Sequence, residues 1–526
     1  MFHFRITHDD NLPGRDWIWR ASRWQCGTSW IEPYRHVLTE QAALTDGTRT
    51  LFTSVARRSS ERPARPEVVT VSPDAYDKAF RELRELRDDW TAVQVEPGRA
   101  IQVTTGTACT SPQYLAADAG VLHGSWDLAS LRDQQHPDRL DHLAITRHLA
   151  LRARYSAATF WQDVRLLTER ATAHFAADGS LAIQFPDPAE HTRARSLQKG
   201  KDPIPLFADL LERAVTRLPW TGSKTAVQLS GGMDSTTVAL AMRTTPQGAG
   251  VTAGTVILDA ERGAQQTERL QLVLEHIASG WSSLTVQAAN HLPYGPASRF
   301  SRPVWVSPTT DIYADALDAL SGRFSEAGIK AVFTGIGGDE LMAITAAEDT
   351  GGWGGFEPAD TPPWLGRTAQ ALLPDIDKAI TPAAVVPETT LMAKAVCGPA
   401  FLRHGLWPAH PLTDPALVRF CEWLPLKWRQ DKQLMRVILA RTGMPSQVAR
   451  PPIVENFQQI ITEAMRRYGV PRARQILADG SPLIDAGLID PDGLGQVAAR
   501  LEAGTPAASD HEVVFALLAD SALTRR

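Results

Sequence analysis

A strand, a glycine turn and a helix follow one another without a break at residues 226–242, and this arrangement limits the possible folds most. The run Ala226-Val-Gln-Leu229 is apolar enough for a buried strand, and Thr236–Met242 is predicted to be helical. Between them lies Ser230-Gly-Gly-Met-Asp-Ser235. Glycines let backbone N–H groups turn inward, and the N-terminus of a following helix attracts anions. The turn is therefore predicted to hold a polyphosphate.

The predicted phosphate site combines the end of the strand, the turn and the start of the helix. Its candidate nucleotide-binding residues are Leu229, Ser230, Gly231, Gly232, Asp234 and Ser235. The turn is not a Walker loop, because Lys224 precedes the strand instead of ending the glycine run. The alternative is an ordinary glycine-rich connection with no ligand, but five fixed residue types in this order rarely occur by chance.

Strand and helix continue to alternate around this turn. Val251–Leu258 and Ala331–Phe333 are predicted strands, whereas Leu206–Leu218 and Thr267–Ile277 are predicted helices. Such alternation predicts an α/β fold in which a parallel sheet has helices on both faces. After about residue 360 the pattern is mainly helical, with proline-rich breaks.

The N-terminal part of the chain has a different pattern. Short β-like runs such as Ile101–Thr105 and Ser180–Phe185 are mixed with turns and a few helical stretches, as is typical of an α+β domain. A polar, proline-bounded connector at 186–203 follows. We therefore predict an α+β domain over residues 1–200, the parallel-sheet domain over 201–460 and a helical C-terminal extension over 461–526.

A second glycine turn follows the predicted strand at 331–333 and reads Thr334-Gly-Ile-Gly-Gly-Asp-Glu340. The carboxyl ends of parallel strands meet at one sheet edge, where open sheets bind ligands. Asp234 and Asp339 would then bring two carboxylates to one nucleotide site, which suits Mg²⁺ held between phosphates and oxygen ligands. A turn followed by a helix N-cap is the alternative. Further candidate nucleotide-binding residues are Ile257, Gly335, Gly337 and Gly338.

Composition excludes several classes of protein. The net charge is −5 and there is no Lys/Arg-dense run, so nucleic acid is not an expected partner. No apolar run reaches the ~18 residues of a membrane span, and the N-terminus resembles no targeting peptide. The four cysteines are scattered, which predicts neither a zinc site nor a disulfide framework. A reducing cytoplasm is the expected location.

Together the two glycine turns resemble the ATP-pyrophosphatase domain of the asparagine synthetase superfamily. In that superfamily Ser-Gly-Gly-x-Asp-Ser binds the pyrophosphate, and Gly-Gly-Asp-Glu supplies the second metal carboxylate. A third match is the stretch from Pro411-Leu-Thr-Asp414 through Leu424-Pro425 to Lys432-Gln-Leu-Met-Arg436. The resemblance covers residues 206 to about 457. It implies ATP and Mg²⁺ as cofactors, Asp234 and Asp339 as metal ligands, and Asp339 and Glu340 as catalytic residues.

The N-terminal half resembles the glutaminase domain of the same superfamily, an Ntn-type fold, in the runs Gly124–Ala129 and Ala158–Leu167. Functional members begin with a cysteine whose own α-amine acts as the base, whereas here Met1 is followed by Phe2 and Cys26 lies too far along. We therefore expect a degenerate glutaminase domain without glutamine hydrolysis. The amine would then come from the substrate itself.

Superfamily members that lack this nucleophile include lasso peptide cyclases and β-lactam synthetases. The tail from Ile476 to Leu494, ending near Phe515–Leu518, resembles an extension found in lasso cyclases, although a plain helical tail is the alternative. The favoured hypothesis is an ATP-dependent macrolactam synthetase. It would act on a precursor core peptide, with a leader peptidase and a leader-recognition protein as further candidate partners. The alternatives are a β-lactam synthetase-like or asparagine synthetase-like amide ligase and a non-catalytic peptide-binding protein.

The family's catalytic lysine has no counterpart between Met444 and Phe457. Either Arg450 supplies that positive charge or the role has moved; arginine cannot serve readily as an acid or base. Lys432 and Arg436 are four residues apart, which predicts that they share one helix face. Both side chains could then reach the phosphates; the alternative is that this face is simply exposed to solvent. The glycine-rich run at 349–355 is predicted to be a mobile loop that keeps water from the adenylate.

Overall fold

The computed structural model describes residues 1–57, 67–258, 260–277, 280–302, 304–343, 361–452 and 457–524. The chain forms two compact units. The first comprises Met1–Ala144, Tyr155–Ala189 and Lys378–Ala384, and the second comprises Ile145–Arg154, Glu190–Asp377 and Val385–Arg526.

Two seven-stranded sheets form the first unit, one in the order β12-β10-β11-β1-β4-β3-β2 and the other β14-β13-β9-β8-β6-β5-β7. Neighbouring strands are antiparallel except for the parallel pair β5 and β7. The strands are β1 (Phe2–Thr7), β2 (Ile18–Arg20), β3 (Arg23–Cys26), β4 (Ser29–Pro33), β5 (Glu40–Thr45), β6 (Thr50–Val55), β7 (Val68–Thr70), β8 (Trp90–Val95), β9 (Ile101–Thr105), β10 (Gln113–Asp118), β11 (Val121–Ser125), β12 (Val164–Leu167), β13 (Thr172–Phe175) and β14 (Leu181–Gln184).

The core of this unit lies between its two sheets. Along β1 every second side chain is buried, beginning with Phe2 and Phe4, as the two-residue period of a strand requires. From the other sheet Phe52 meets Trp24 with ring centroids 5.2 Å apart. Inward-facing residues of both sheets therefore share one apolar layer, to which Val103 also contributes.

The second unit contains a parallel five-stranded sheet, whose strands are β15 (Thr225–Gln228), β16 (Thr252–Ile257), β17 (Ser282–Gln287), β18 (Ala331–Phe333) and β19 (Trp407–Ala409). Their order in the sheet is β17-β16-β15-β18-β19. Adjacent residues on one strand face opposite sides. Ala226 belongs to one apolar cluster and Val227 to the other, and the same holds for Val332 and Phe333.

Helices cover both faces of this sheet. The α-helices of the described residues are α1 (Pro73–Glu85), α2 (His142–Leu149), α3 (Ile204–Thr216), α4 (Met233–Thr244), α5 (Ala260–Ile277), α6 (Ala314–Glu326), α7 (Gly338–Leu341), α8 (Arg367–Leu372), α9 (Glu388–Arg403), α10 (Pro415–Trp423), α11 (Leu426–Arg429), α12 (Gln433–Arg441), α13 (Ser446–Ala449), α14 (Gln458–Ala464), α15 (Val470–Asp479), α16 (Pro482–Asp485), α17 (Pro491–Ala503) and α18 (Val513–Thr524). Of these, α3, α4, α5, α10 and α12 contribute to the cluster around Val227, whereas α6 and α9 contribute to the cluster around Ala226.

This architecture confirms the predicted fold class, with antiparallel and mixed sheets in the N-terminal part and a parallel sheet flanked by helices after it. The sequence did not identify the edge strands β17 and β19. In β17 only Val286 is buried, and β19 is three residues long with Pro408 at its centre, a residue that edge strands tolerate. Within the described residues, no helix is both long and apolar enough to cross a membrane.

Candidate functional site

The first glycine turn connects the carboxyl end of β15 to the N-terminus of α4. Leu229 extends the strand, because its N–H donates to the carbonyl of Gly254 at 2.8 Å. The chain then turns at Gly231, whose φ of +83° lies in the left-handed region that favours glycine. Helix α4 begins two residues later. Its first N–H groups therefore point toward the space above the sheet edge, as an anion site requires.

Two serine hydroxyls brace this turn from within. Ser230 Oγ lies 3.2 Å from Ser235 Oγ and accepts from the N–H of Gly232 at 3.1 Å. Ser235 Oγ also accepts from the N–H of Ser230 at 3.3 Å. Both hydroxyls thus hold the shape of the loop in this structure.

Gln266 fixes the same turn from α5, and sequence reasoning missed it. Its Nε2 donates to the carbonyls of Ser230 and Val256, each at 3.1 Å, and its Oε1 accepts from the N–H of Leu258 at 2.9 Å. The residue is only 2% exposed. The sequence feature that could have identified it is a glutamine at a core-facing position of an amphipathic helix, because a buried polar side chain needs hydrogen-bond partners.

The second glycine turn, which follows β18, lies directly against the first. A Cβ added at Gly335 would lie 2.8 Å from the backbone nitrogen of Ser235, and one at Gly338 would lie 2.3 Å from Asp234 Cγ. Real Cβ atoms do not approach this closely. Glycine is therefore required at both positions because the two loops touch.

The stretch Pro411–Asp414 supports the second turn. Gly337 has a φ of +92°, and a Cβ there would lie 2.8 Å from Thr413 Cγ2. Asp414 caps α10 by accepting from the N–H groups of Ala416 and Leu417, and it forms an ion pair with Arg217. This part of the third matching stretch thus acts as a platform for the loop that carries Asp339.

Lys432 joins the carboxylates of the two loops. Its Nζ lies 2.8 Å and 2.7 Å from the two carboxylate oxygens of Asp234 and 2.5 Å from Asp339 Oδ1. The Asp234 and Lys432 side chains are 20% and 19% exposed, whereas Asp339 is 85% exposed. One ammonium group therefore sits between a largely buried carboxylate and an exposed one.

Burial and charge oppose each other in this cluster. Burial raises the pKa of Asp234, an effect that the charge of Lys432 only partly offsets and that Asp339 and Glu340 reinforce. Burial alone would lower the pKa of Lys432, but Asp234 and then Asp339 outweigh it, so the pKa is raised. Lys432 is therefore a cation over the whole neutral range.

The backbone around Lys432 takes an uncommon conformation. Asp431 and Lys432 have φ of +51° and +53°, which non-glycine residues rarely adopt, and the side chain of Arg436 holds the turn by donating from Nε to the carbonyl of Asp431 at 2.5 Å. Helix α12 begins only at Gln433. The predicted shared helix face of Lys432 and Arg436 is therefore wrong, because Lys432 precedes the helix.

The carboxylates of Asp234 and Asp339 both contact the Lys432 ammonium, so both lie close enough to one point to share a metal ion. This pair fits Mg²⁺, which proteins commonly hold through one or two carboxylates, with the remaining oxygens from phosphates and water. Across the described ranges, no group of three or more metal-ligating side chains comes together. Asp234 and Asp339 would hold the ion together with phosphate oxygens of a nucleotide and water.

Several predicted site residues lie elsewhere around these loops. Ile257 is buried at the carboxyl end of β16, and Glu340 is half-buried in α7 next to Asp339. Arg450 is exposed after α13, and within the described chain it forms no ion pair with either carboxylate. The glycine-rich run 349–355 lies outside the described residues.

In the first unit, the cysteine nearest the N-terminus has no sign of activation. Cys26 is 4% exposed and its Sγ donates to the carbonyl of Asp10 at 3.3 Å. Burial, with the nearby Asp10 charge, raises the pKa of the thiol. A buried neutral thiol of this kind is a structural group.

A comparison with known families matches the model described as asparagine synthase to residues 206–367. No curated protein matches the chain. The matched segment contains both glycine turns, and the match implies an ATP-dependent ligase that forms an amide, that is, a carbon–nitrogen bond. It supports assigning residues 206–367 to the asparagine synthetase superfamily.

Proposed function

We propose that this protein activates a carboxyl group with ATP and passes it to an amine, releasing AMP and pyrophosphate. The observation that carries the proposal is the ammonium of Lys432 bound to both Asp234 and Asp339, where the two glycine loops touch. A merely structural pair of turns would not bring two carboxylates and a lysine to the ligand-binding edge of a parallel sheet.

The residues of the first loop would bind the phosphates. The N–H groups at the start of α4 carry the positive end of the helix dipole, and Ser230 and Ser235 can turn their hydroxyls toward a ligand. Asp234 and Asp339 would hold Mg²⁺, which neutralises phosphate charge and favours departure of pyrophosphate. Lys432 adds a positive charge at the same place, so that its ammonium can bind the departing phosphates.

The chemistry requires two displacements. A carboxylate oxygen of the substrate attacks the α-phosphorus of ATP, and the bond to pyrophosphate breaks. An amine nitrogen then attacks the acyl carbon, the bond to AMP breaks, and the amine loses a proton to the surrounding solution or a base. Water must be excluded between the two steps, because it would hydrolyse the acyl-adenylate.

For the substrate we propose a ribosomal precursor core peptide, in which an Asp or Glu side chain is activated and the peptide's own N-terminal amine closes a macrolactam. This lasso cyclase-like assignment is supported by the resemblance of the C-terminal tail and by the inert environment of Cys26, which argues against glutamine as the source of ammonia. Holding a pre-folded peptide so that its ends meet can supply about 7–11 kcal/mol of the barrier.

The test is mass spectrometry of a candidate core peptide incubated with the protein, ATP and Mg²⁺, with nucleotides quantified in the same reaction. The proposal predicts loss of one water from the peptide, matched by an equal amount of AMP. Asp234→Ala and Asp339→Ala should abolish both products while keeping the melting temperature near that of the wild type.

The other outcomes separate the alternatives. Turnover with a small amino acid but no peptide would favour a β-lactam synthetase-like or asparagine synthetase-like ligase. Absence of AMP with every peptide and amino acid would contradict the ligase proposal and favour a peptide-binding protein. Measurable glutaminase activity would contradict the proposed source of the amine.

A further inference from the structure

His410 follows β19 at the carboxyl edge of the parallel sheet, beside the loop that carries Asp339. Its Nδ1 lies 2.7 Å from Thr334 Oγ1, and that hydroxyl also accepts from the N–H of Ile336 at 3.2 Å. The backbones are joined as well, because Thr334 N–H donates to the carbonyl of Ala409 at 3.0 Å. The imidazole is thus anchored to the second glycine loop at the edge where open sheets bind ligands.

Two tautomers of this ring fit the hydrogen bonds, because a hydroxyl has one proton and two lone pairs. After accepting from Ile336, Thr334 Oγ1 can donate its proton to His410 Nδ1 or accept from an Nδ1–H. Burial, with a contribution from the charge of Lys394, holds the pKa of His410 well below its usual value, so the ring is neutral. A neutral ring that accepts at Nδ1 carries its proton on Nε2.

His410 Nε2 has no hydrogen-bond partner among the residues the structure describes. The residue is 8% exposed, so Nε2 lies away from bulk solvent. Buried polar groups are almost always hydrogen-bonded, and an exception next to a sheet-edge ligand site points to a group that arrives with the ligand.

The neighbouring face of α9 is polar where packing alone would favour apolar residues. Thr390, Lys394 and Cys397 are spaced at i, i+4 and i+7 and so share one face of the helix. Thr390 and Lys394 are 1% and 2% exposed, and the Thr390 hydroxyl also lacks a partner among the described residues. The charge of Lys394 acts on both His410 and Cys397, and that of Asp311 also acts on Cys397. A ligand that forms hydrogen bonds suits these polar surroundings better than an apolar one.

We propose that His410 Nε2–H donates a hydrogen bond to an oxygen of the substrate's acyl group: the carboxylate before activation and the carbonyl of the acyl-adenylate after it. His410 is then a catalytic residue that contacts the reacting carboxyl group. Thr334 is a positioning residue, because its hydroxyl sets which ring nitrogen carries the proton. The inference rests on the proposed function, which supplies the acyl-adenylate.

The test compares two ligands by calorimetry: an acyl-sulfamoyl adenosine whose acyl group is the aspartate side chain, and AMP, which lacks the acyl group. His410→Asn keeps an oxygen that can accept from Thr334 but loses the distant donor. His410→Gln places an N–H donor near the Nε2 position and loses the anchor. His404→Asn is the matched control, because His404 Nε2 already has Asp318 as a partner at 2.8 Å.

The inference predicts that His410→Asn weakens binding of the acyl-sulfamate about tenfold, the effect of one lost hydrogen bond, and leaves AMP binding unchanged. His410→Gln should retain most of the affinity, and the control all of it. A purely structural role predicts the opposite order, since only the anchor to Thr334 would then matter.

Equal acyl-sulfamate binding by the wild type and His410→Asn would overturn the inference while leaving the proposed function intact. A wild type that binds neither ligand would overturn the proposed function and this inference with it. A second measurement needs no variant: in ¹⁵N-histidine-labelled wild type, an Nε2–H signal should shift on adding the acyl-sulfamate and not on adding AMP. The absence of any such shift contradicts the contact.

Discussion

Replacing Gly338 by alanine tests whether the close approach of the two glycine loops is essential. The added Cβ would lie 2.3 Å from Asp234 Cγ, whereas ordinary contacts begin at 3.4 Å, so the carboxylate or the loop must move by about 1.1 Å. A misplacement of about 1 Å in a catalytic arrangement can cost roughly 100-fold in rate. Because Gly338 does not have a positive φ and starts helix α7, the backbone itself tolerates alanine. We therefore expect a large loss of AMP formation, with a loss of stability no greater than that of an overpacked contact, about 1–3 kcal/mol.

The assay is the rate of AMP release under saturating ATP and Mg²⁺, with the melting temperature measured on the same preparation. The matched control is Gly495→Ala in α17, where the nearest atom to the new Cβ is Leu477 Cδ1 at an ordinary 3.7 Å. The control should keep full activity and gain about 0.5–1 kcal/mol, because alanine favours a helix over glycine. Wild-type turnover by Gly338→Ala would refute the reasoning.

Four other changes test separate parts of the structure. Lys432→Met should lower AMP formation about 100-fold, because both carboxylates lose their shared cation; activity within a factor of two would remove Lys432 from the site. Gln266→Leu should destabilise the protein by about 2–4 kcal/mol in chemical denaturation, because three backbone groups lose their buried partner. The control Gln271→Ala, on the exposed side of α5, should change the free energy of unfolding by less than about 0.5 kcal/mol. Burial lowers the pKa of His148 to about 4, against 6.5 in the unfolded chain. As the pH drops from 6.5 to 4 the unfolded state therefore binds a proton that the folded state does not, and the free energy of unfolding falls by at most about 3 kcal/mol. His148→Gln should flatten that part of the melting-temperature profile. Arg450→Ala should leave AMP formation within about twofold, because the residue is exposed and, among the described residues, forms no ion pair with either carboxylate. A large loss would restore the role that the sequence suggested for it.

The local patterns predicted the elements of the parallel sheet that carry the loops. Strand β15 and helix α4 could be read from the sequence because the strand is short and apolar and the glycine turn lies directly between them. The edge strand β17 could not, because its side chains are mostly exposed and its pairing with β16 depends on tertiary context.

For the site, spacing predicted which loops meet but not which contacts hold them. Asp234 and Asp339 follow strands that the alternation placed in one sheet, so their proximity was foreseeable. Lys432 was ambiguous, because only the left-handed backbone at Asp431 and Lys432 turns its ammonium into the loops, and no helical periodicity encodes such a turn. Gln266 was invisible for a similar reason, since its partners are backbone groups that exist only in the folded loop.

The measurement that tests the central claim most directly follows an isotope from the substrate to the nucleotide. A candidate core peptide labelled with ¹⁸O in its side-chain carboxyl group is incubated with the wild-type protein, ATP and Mg²⁺, and the nucleotides are weighed by mass spectrometry. Attack of the carboxylate on the α-phosphorus predicts that one ¹⁸O appears in AMP and that the cyclised peptide keeps the other. Unlabelled AMP, or label in inorganic phosphate together with ADP, would contradict an acyl-adenylate and the role given to these loops.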